Sequence, residues 1–162
     1  MNTVMSPFTE TNNARAAVAG VLAETVQPLF AATDSPEADG VNPVASAIRV
    51  LLVDDHPVVR RGIAVQLDLH KHITVVGEAG DGREALEKAR ALQPDVVVTD
   101  VELPEMDGAD LTLALNRELP STRVLGFSIY RNPGVLRRMA KAGAVACLFA
   151  ARQIEGGDGS FA

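Results

Sequence analysis

The chain has 162 residues and a formal net charge of −6 at pH 7, with 47% hydrophobic and 4% aromatic residues. That length holds one domain, or one domain with a tail, and the acidity removes any electrostatic source of non-specific attraction to DNA or an anionic membrane. The single cysteine, Cys147, excludes an intramolecular disulfide framework and a multi-cysteine metal site.

Met1 to Glu10 lacks the basic start of a secretory signal. No stretch approaches the ~20 apolar residues that span a bilayer. The cytosol is therefore the default compartment.

Residues 1–47 read as an acidic, alanine-rich leader and linker, with Glu10, Glu24, Asp34, Glu37 and Asp39 set against Arg15 alone. Within it, Asn13 to Gln27 predicts one helix. Asn13 is a cap candidate, Val18, Val21, Leu22 and Val26 recur at helical spacing, and Pro28 stops the run. Residues 31–47 are rich in Pro, Asp, Ser and small side chains and read as linker.

From Ile48 short β-branched runs alternate with helical segments. The spacing predicts strands over Ile48 to Val53, Ile73 to Glu78, Asp95 to Thr99, Arg123 to Phe127 and Val145 to Phe149. It predicts helices over Pro57 to His70, Gly82 to Leu92, Gly108 to Leu119 and Pro133 to Ala142. Such alternation implies βαβ units and a parallel sheet covered on both faces, an α/β fold. Residues 151–162 carry Gly156, Gly157 and Gly159 and are too broken for a full covering helix. The expectation is a doubly wound five-stranded sheet with its fifth helix missing or replaced.

In an open parallel sheet, ligands bind beyond the carboxyl ends of the strands where strand order reverses. The first strand ends in Asp54-Asp55 and the third in Asp100. In a flavodoxin-like order of 2-1-3-4-5 these strands are neighbours, so three carboxylates converge. They repel one another unless a cation compensates, and an all-oxygen set favours Mg2+, with Mn2+ as substitute. Carboxylate, dication and phosphate oxygen together make a phosphoryl-transfer site, with Asp100 placed as a nucleophile. Ser128 adds a hydroxyl at the end of the fourth strand.

With these residues in view, Ile48 to Ala150 resembles the receiver domain of bacterial two-component response regulators. The segments IRVLLVDDHPVVRRG, VVGEAGDGREALEKARALQPDVVVTDVELPEMDG and RVLGFS resemble the LuxR/FixJ-type subfamily in particular. The resemblance implies a CheY-like fold over 48–150, with Asp100 accepting a phosphoryl group from a histidine kinase or phosphotransfer protein. It implies Mg2+ bound by Asp55 and Asp100 directly, by Asp54 through water, and by the backbone carbonyl of Glu102. Ser128 matches the hydroxyl that turns toward the phosphate, and Leu103 to Gly108 the loop that shapes the rim. An unknown output partner is implied, with a homodimer as one assembly. No enzyme beyond self-catalysed phosphoryl transfer and autodephosphorylation is expected.

Two departures stand in the last quarter. The family's usual ending, Gly-Ala-x-Gly-Tyr-Leu-x-Lys, is here Gly143-Ala144-Val145-Ala146-Cys147-Leu148-Phe149-Ala150. Cys147 thus occupies the aromatic switch position and Ala150 that of the phosphate-binding lysine. Losing that charge-assisted bond costs on the order of 1.5–3 kcal/mol, with Arg152 a weak substitute. The second departure is the missing helix, whose place on the sheet the Asn13 to Gln27 segment is expected to take. The residues after Ala150 are too few for the subfamily's DNA-reading helix-turn-helix, so direct DNA binding is not expected.

Two other readings compete. A degenerate pseudo-receiver would bind partners by shape without phosphorylation. A Rossmann-type nucleotide-binding fragment would use Gly80 and Gly82 for phosphate and Asp100 for ribose, but leaves Asp54, Asp55 and Ser128 unexplained. Arg60, Arg61, Arg137 and Arg138 read as solvated helix faces, His56 as a loop residue and Cys147 as a small core residue.

Overall fold

The computed structural model describes residues 47–128 and 132–149. The expected 13–27 helix, Ala150, Arg152 and the glycine-rich tail lie outside the described residues. Nine elements alternate: β1 (Ile48–Val53), α1 (Pro57–Asp68), β2 (Ile73–Ala79), α2 (Gly82–Leu92), β3 (Val96–Asp100), α3 (Gly108–Glu118), β4 (Arg123–Ser128), α4 (Pro133–Ala142) and β5 (Ala146–Phe149). All neighbouring strands pair in parallel, in the order β2-β1-β3-β4-β5. This is the flavodoxin-like α/β architecture, with four helices among the described residues. None of them is long and apolar enough to cross a membrane.

The two faces of the sheet follow from strand alternation. Val50, Leu52, Val96, Val98, Leu125 and Phe127 share one face with Val59, Ile63, Ala64 and Leu67 of α1. Leu51, Val53, Val97 and Val124 share the other with Ala85 and Ala89 of α2 and Leu111 and Leu115 of α3. Met139 of α4 packs with Val101 and Ala109 beside them. Double-sided burial explains why β3 reads as three consecutive valines.

Local chemistry sets the helix ends. Asp107 caps α3 by accepting from the Ala109 and Asp110 N–H groups at 3.0 and 2.9 Å. Asn132 caps α4 through the Gly134 N–H at 2.9 Å. Gly143 then ends α4 in the left-handed region at φ 93°. A neighbouring side chain secures that turn: Asn116 Nδ2 donates to the Ala142 carbonyl at 2.7 Å. Asn116→Ala should therefore cost about 1 kcal/mol, read as a shift in the urea midpoint at constant m-value.

Some element ends differ from the sequence reading by one or two residues. α1 stops at Asp68 because the Leu69 and His70 N–H groups turn to carbonyls three residues back, at 3.3 and 2.9 Å. β3 starts one residue later and ends one later. The Asp95 carboxylate takes the Arg49 N–H at 2.8 Å in place of a strand carbonyl. Asp100 and Ser128 are thus the last residues of their strands rather than the first beyond them.

Candidate functional site

β1 and β3 are hydrogen-bonded neighbours, with Val53 opposite Thr99, so Asp54 and Asp100 leave the sheet side by side. One carboxylate oxygen each of Asp54, Asp55 and Asp100 and a ring nitrogen of His56 all lie within 4.8 Å of one another. The acid pair is unequal: Asp54 is 3% exposed, whereas the Asp55 side chain, though turned to the same cluster, is 33% exposed.

The structure adds His56 to the carboxylates. Its N–H donates to Asp54 Oδ1 at 2.7 Å. Its Nδ1 lies 2.7 Å from Asp55 Oδ1 and 3.3 Å from Asp54 Oδ1. The signal was available in the sequence, because an Asp readily accepts from the backbone N–H two residues on.

Arg60 also belongs here and corrects its reading as a solvated residue. Its side chain is 18% exposed, its Nε bonds Glu78 Oε2 at 3.1 Å, and its Nη1 donates to the Asp54 carbonyl. Arg61, by contrast, is 72% exposed.

Asp100 is held by its own loop. The Glu102 N–H donates to Asp100 Oδ1 at 3.2 Å, and Thr99 Oγ1 donates to the Asp100 carbonyl at 2.8 Å. The loop then closes on itself, with the Gly108 N–H on the Val101 carbonyl at 3.0 Å. Glu105 takes a left-handed φ of 63° within it.

Ser128, 4% exposed, ends β4 one residue past Phe127, the register partner of Asp100. Cys147 lies opposite Gly126 and packs with Met139, half-buried, and burial pushes its thiol up. It is the small packed residue expected, at the position the resemblance assigns to a switch. The phosphate-binding position, Ala150, lies outside the described residues.

Electrostatics follow from crowding. Burial first, then the neighbouring charges of Asp54 and Asp55, push the Asp100 carboxyl up from 3.8 to about 6, against the pull of the Glu102 and Val101 N–H groups. Burial likewise raises Asp54, opposed by its bonds to His56. Between pH 4 and 6 the folded chain thus binds more protons at Asp100 than the unfolded chain, so stability must fall as pH rises through that window. The loss is about 3 kcal/mol at most. Chemical denaturation in EDTA at pH 4.5, 6 and 7.5 should show it, and Asp100→Asn should flatten it.

Crowded oxygen donors whose charged forms are disfavoured suit a hard divalent cation, which would reverse both effects. The glycine segment after β2 has a different use. Asp81 accepts from the Glu84 N–H at 2.8 Å and Glu84 from the Gly80 N–H at 2.6 Å. These two side chains occupy the amides of Gly80 and Glu84, at the turn a dinucleotide phosphate would need.

A doubly wound parallel sheet with carboxylates gathered at its switch point defines an α/β domain with an acidic site there. Residues 50–152 match the family model described as "Response regulator receiver domain", and the chain belongs to that family. Among curated proteins it is similar to "Probable transcriptional regulatory protein NarL" of Mycobacterium tuberculosis, 42% identical over 108 residues, covering 66% of this chain and 50% of that protein. "Response regulator protein VraR" of Staphylococcus aureus is 38% identical over 96 residues, covering 59% of this chain and 46% of that protein. The chain therefore spans about half the length of these relatives. Among solved structures, the signal receiver domain of NarL from Mycobacterium tuberculosis superposes with a TM-score of 0.63 at 38% identity, over 65% of this chain and 85% of that one.

Proposed function

We propose that this receiver accepts a phosphoryl group on Asp100 from the phosphohistidine of a histidine kinase or phosphotransfer protein in a two-component system. The observation that carries the reading is the convergence of the Asp54, Asp55 and Asp100 carboxylates within 4.8 Å at the strand switch point.

Asp54, Asp55, Asp100 and the Glu102 carbonyl would hold Mg2+, or Mn2+ in its place. Bound there, the dication neutralises charge on the transferring phosphoryl oxygens. The remaining steps belong to the chain. At pH 7 the Asp100 carboxyl, with its pKa near 6, is mostly ionised and available as nucleophile. An Asp100 oxygen forms the new P–O bond as the donor's P–N bond breaks, and the imidazole leaves with the electron pair. The Glu102 N–H fixes one Asp100 oxygen and leaves the other to attack. Ser128, at the end of the adjoining strand, supplies a hydroxyl to the aspartyl phosphate. Arg60 is a positioning residue, holding the Asp54 carbonyl. Residues 48–150 form the receiver, flanked by a leader over 1–47 and a tail over 151–162.

The second reading, a pseudo-receiver that binds partners by shape, is favoured by Cys147 and Ala150 at the switch and lysine positions. One experiment separates the two: incubation with Mg2+ and acetyl phosphate, followed by intact mass. The receiver should gain one phosphoryl group per chain, and EDTA should abolish the gain. An unchanged mass with Mg2+ present overturns phosphorylation and leaves the pseudo-receiver.

A further inference from the structure

The α1 face of the sheet is more deeply buried than its described helix explains. α1 packs chiefly on β1 and β2. A helix is about 10–12 Å across, enough for two strands spaced about 4.8 Å apart. β4 lies two strand spacings from β1, and β5 three. Yet Leu125 and Phe127 of β4, on this face, are 0% and 4% exposed. Ala146 and Leu148 of β5 are partly buried beside them. Among the described residues no other helix lies on this face, since α2, α3 and α4 contribute to the clusters on the opposite side.

The cover must come from elsewhere. The segment 150–162 carries Gly156, Gly157 and Gly159, which disfavour a helix. The segment Asn13 to Gln27 has the pattern required: a cap candidate, a stop at Pro28, and Val18, Val21, Leu22 and Val26 along one face. Its helical length would be ~22 Å, close to the ~20 Å of a six-residue strand. Residues 28–47 connect it to the start of β1. Extended, they reach ~60 Å, several times the ~15 Å between β1 and β5.

We propose that residues 13–27 lie as a helix across β4 and β5 on the α1 face, with Val18, Val21, Leu22 and Val26 against Leu125, Phe127, Ala146 and Leu148. The leader then completes the second layer of the sheet. This proposal is independent of phosphorylation at Asp100.

The test uses the full chain with Cys147→Ser and Leu148→Cys, placing one reporter thiol on the face. Its maleimide labelling rate is compared with that of the same chain carrying Val18→Asp and Leu22→Asp. Labelling should be slow with the native leader and at least tenfold faster with the aspartates, at every protein concentration. Fast labelling in both chains would show an open face and overturn the proposal. Slow labelling in both would place the cover elsewhere, and protection lost on dilution would make it a second copy; either result also overturns it. If far-UV circular dichroism shows that the aspartate pair unfolds the sheet, Val18→Ala with Leu22→Ala carries the same comparison.

Discussion

Asp100→Asn should take up no phosphoryl group from acetyl phosphate and Mg2+, and should melt above the wild type in EDTA. The two effects have one origin. The carboxylate proposed as nucleophile is held half-buried beside Asp54 and Asp55, and burial together with those charges pushes its pKa up to about 6. An amide keeps the shape and can still accept the Glu102 N–H, but it neither attacks phosphorus nor repels its neighbours. Phosphoryl uptake should fall at least ~100-fold, since the transition state loses its attacking atom. Stability of the metal-free chain at pH 7 should rise by about 2–3 kcal/mol. A variant that lost uptake while melting lower would show a damaged fold rather than a missing nucleophile. Differential scanning fluorimetry beside the mass measurement makes that distinction.

Gly108→Ala should be the most damaging single-methyl change near the site. A Cβ at Gly108 would lie 2.5 Å from the Asp100 carbonyl oxygen and 2.9 Å from Val101 Cα. Both neighbours are backbone, so neither can rotate away. The α3 start would have to move off the β3 end, breaking the Gly108 N–H bond to the Val101 carbonyl. Overpacking of this kind costs about 1–3 kcal/mol, occasionally more. Here it also displaces the loop that orients Asp100, so the Mg2+ concentration giving half-maximal phosphorylation should rise with the loss of stability. Gly62→Ala in α1 is the comparator: nothing lies within 4 Å of its Cβ position, and it should stabilise the helix by about 0.5–1 kcal/mol. Urea denaturation of both variants checks the contrast.

The strand order and the meeting of Asp54, Asp55 and Asp100 were legible in the sequence for a common reason. Three valines before Asp100 require a strand buried on both faces, a helix-strand alternation requires parallel crossovers, and acids at strand ends then fall at the switch point. What the sequence hid depends on direction and reach. Asp54 and Asp55 are identical letters, and their spacing does not tell that the first is buried and the second partly exposed. Arg60 looked like one of a solvated pair with Arg61. Its long side chain instead folds back to Glu78 and the Asp54 carbonyl, contacts set by the packing of α1 rather than by spacing. His56 is a different case: the Asp two residues before it carried the signal of the turn, but helical and strand periodicity do not register it.

The most direct measurement is to map the phosphoryl group itself. Wild-type chain treated with Mg2+ and acetyl phosphate, trapped by borohydride reduction of the acyl phosphate and digested, should show one modified residue, Asp100. An unmodified Asp100 peptide from a chain that had gained phosphoryl mass, or a phosphoryl group on Ser128 or His56 instead, would contradict the assignment.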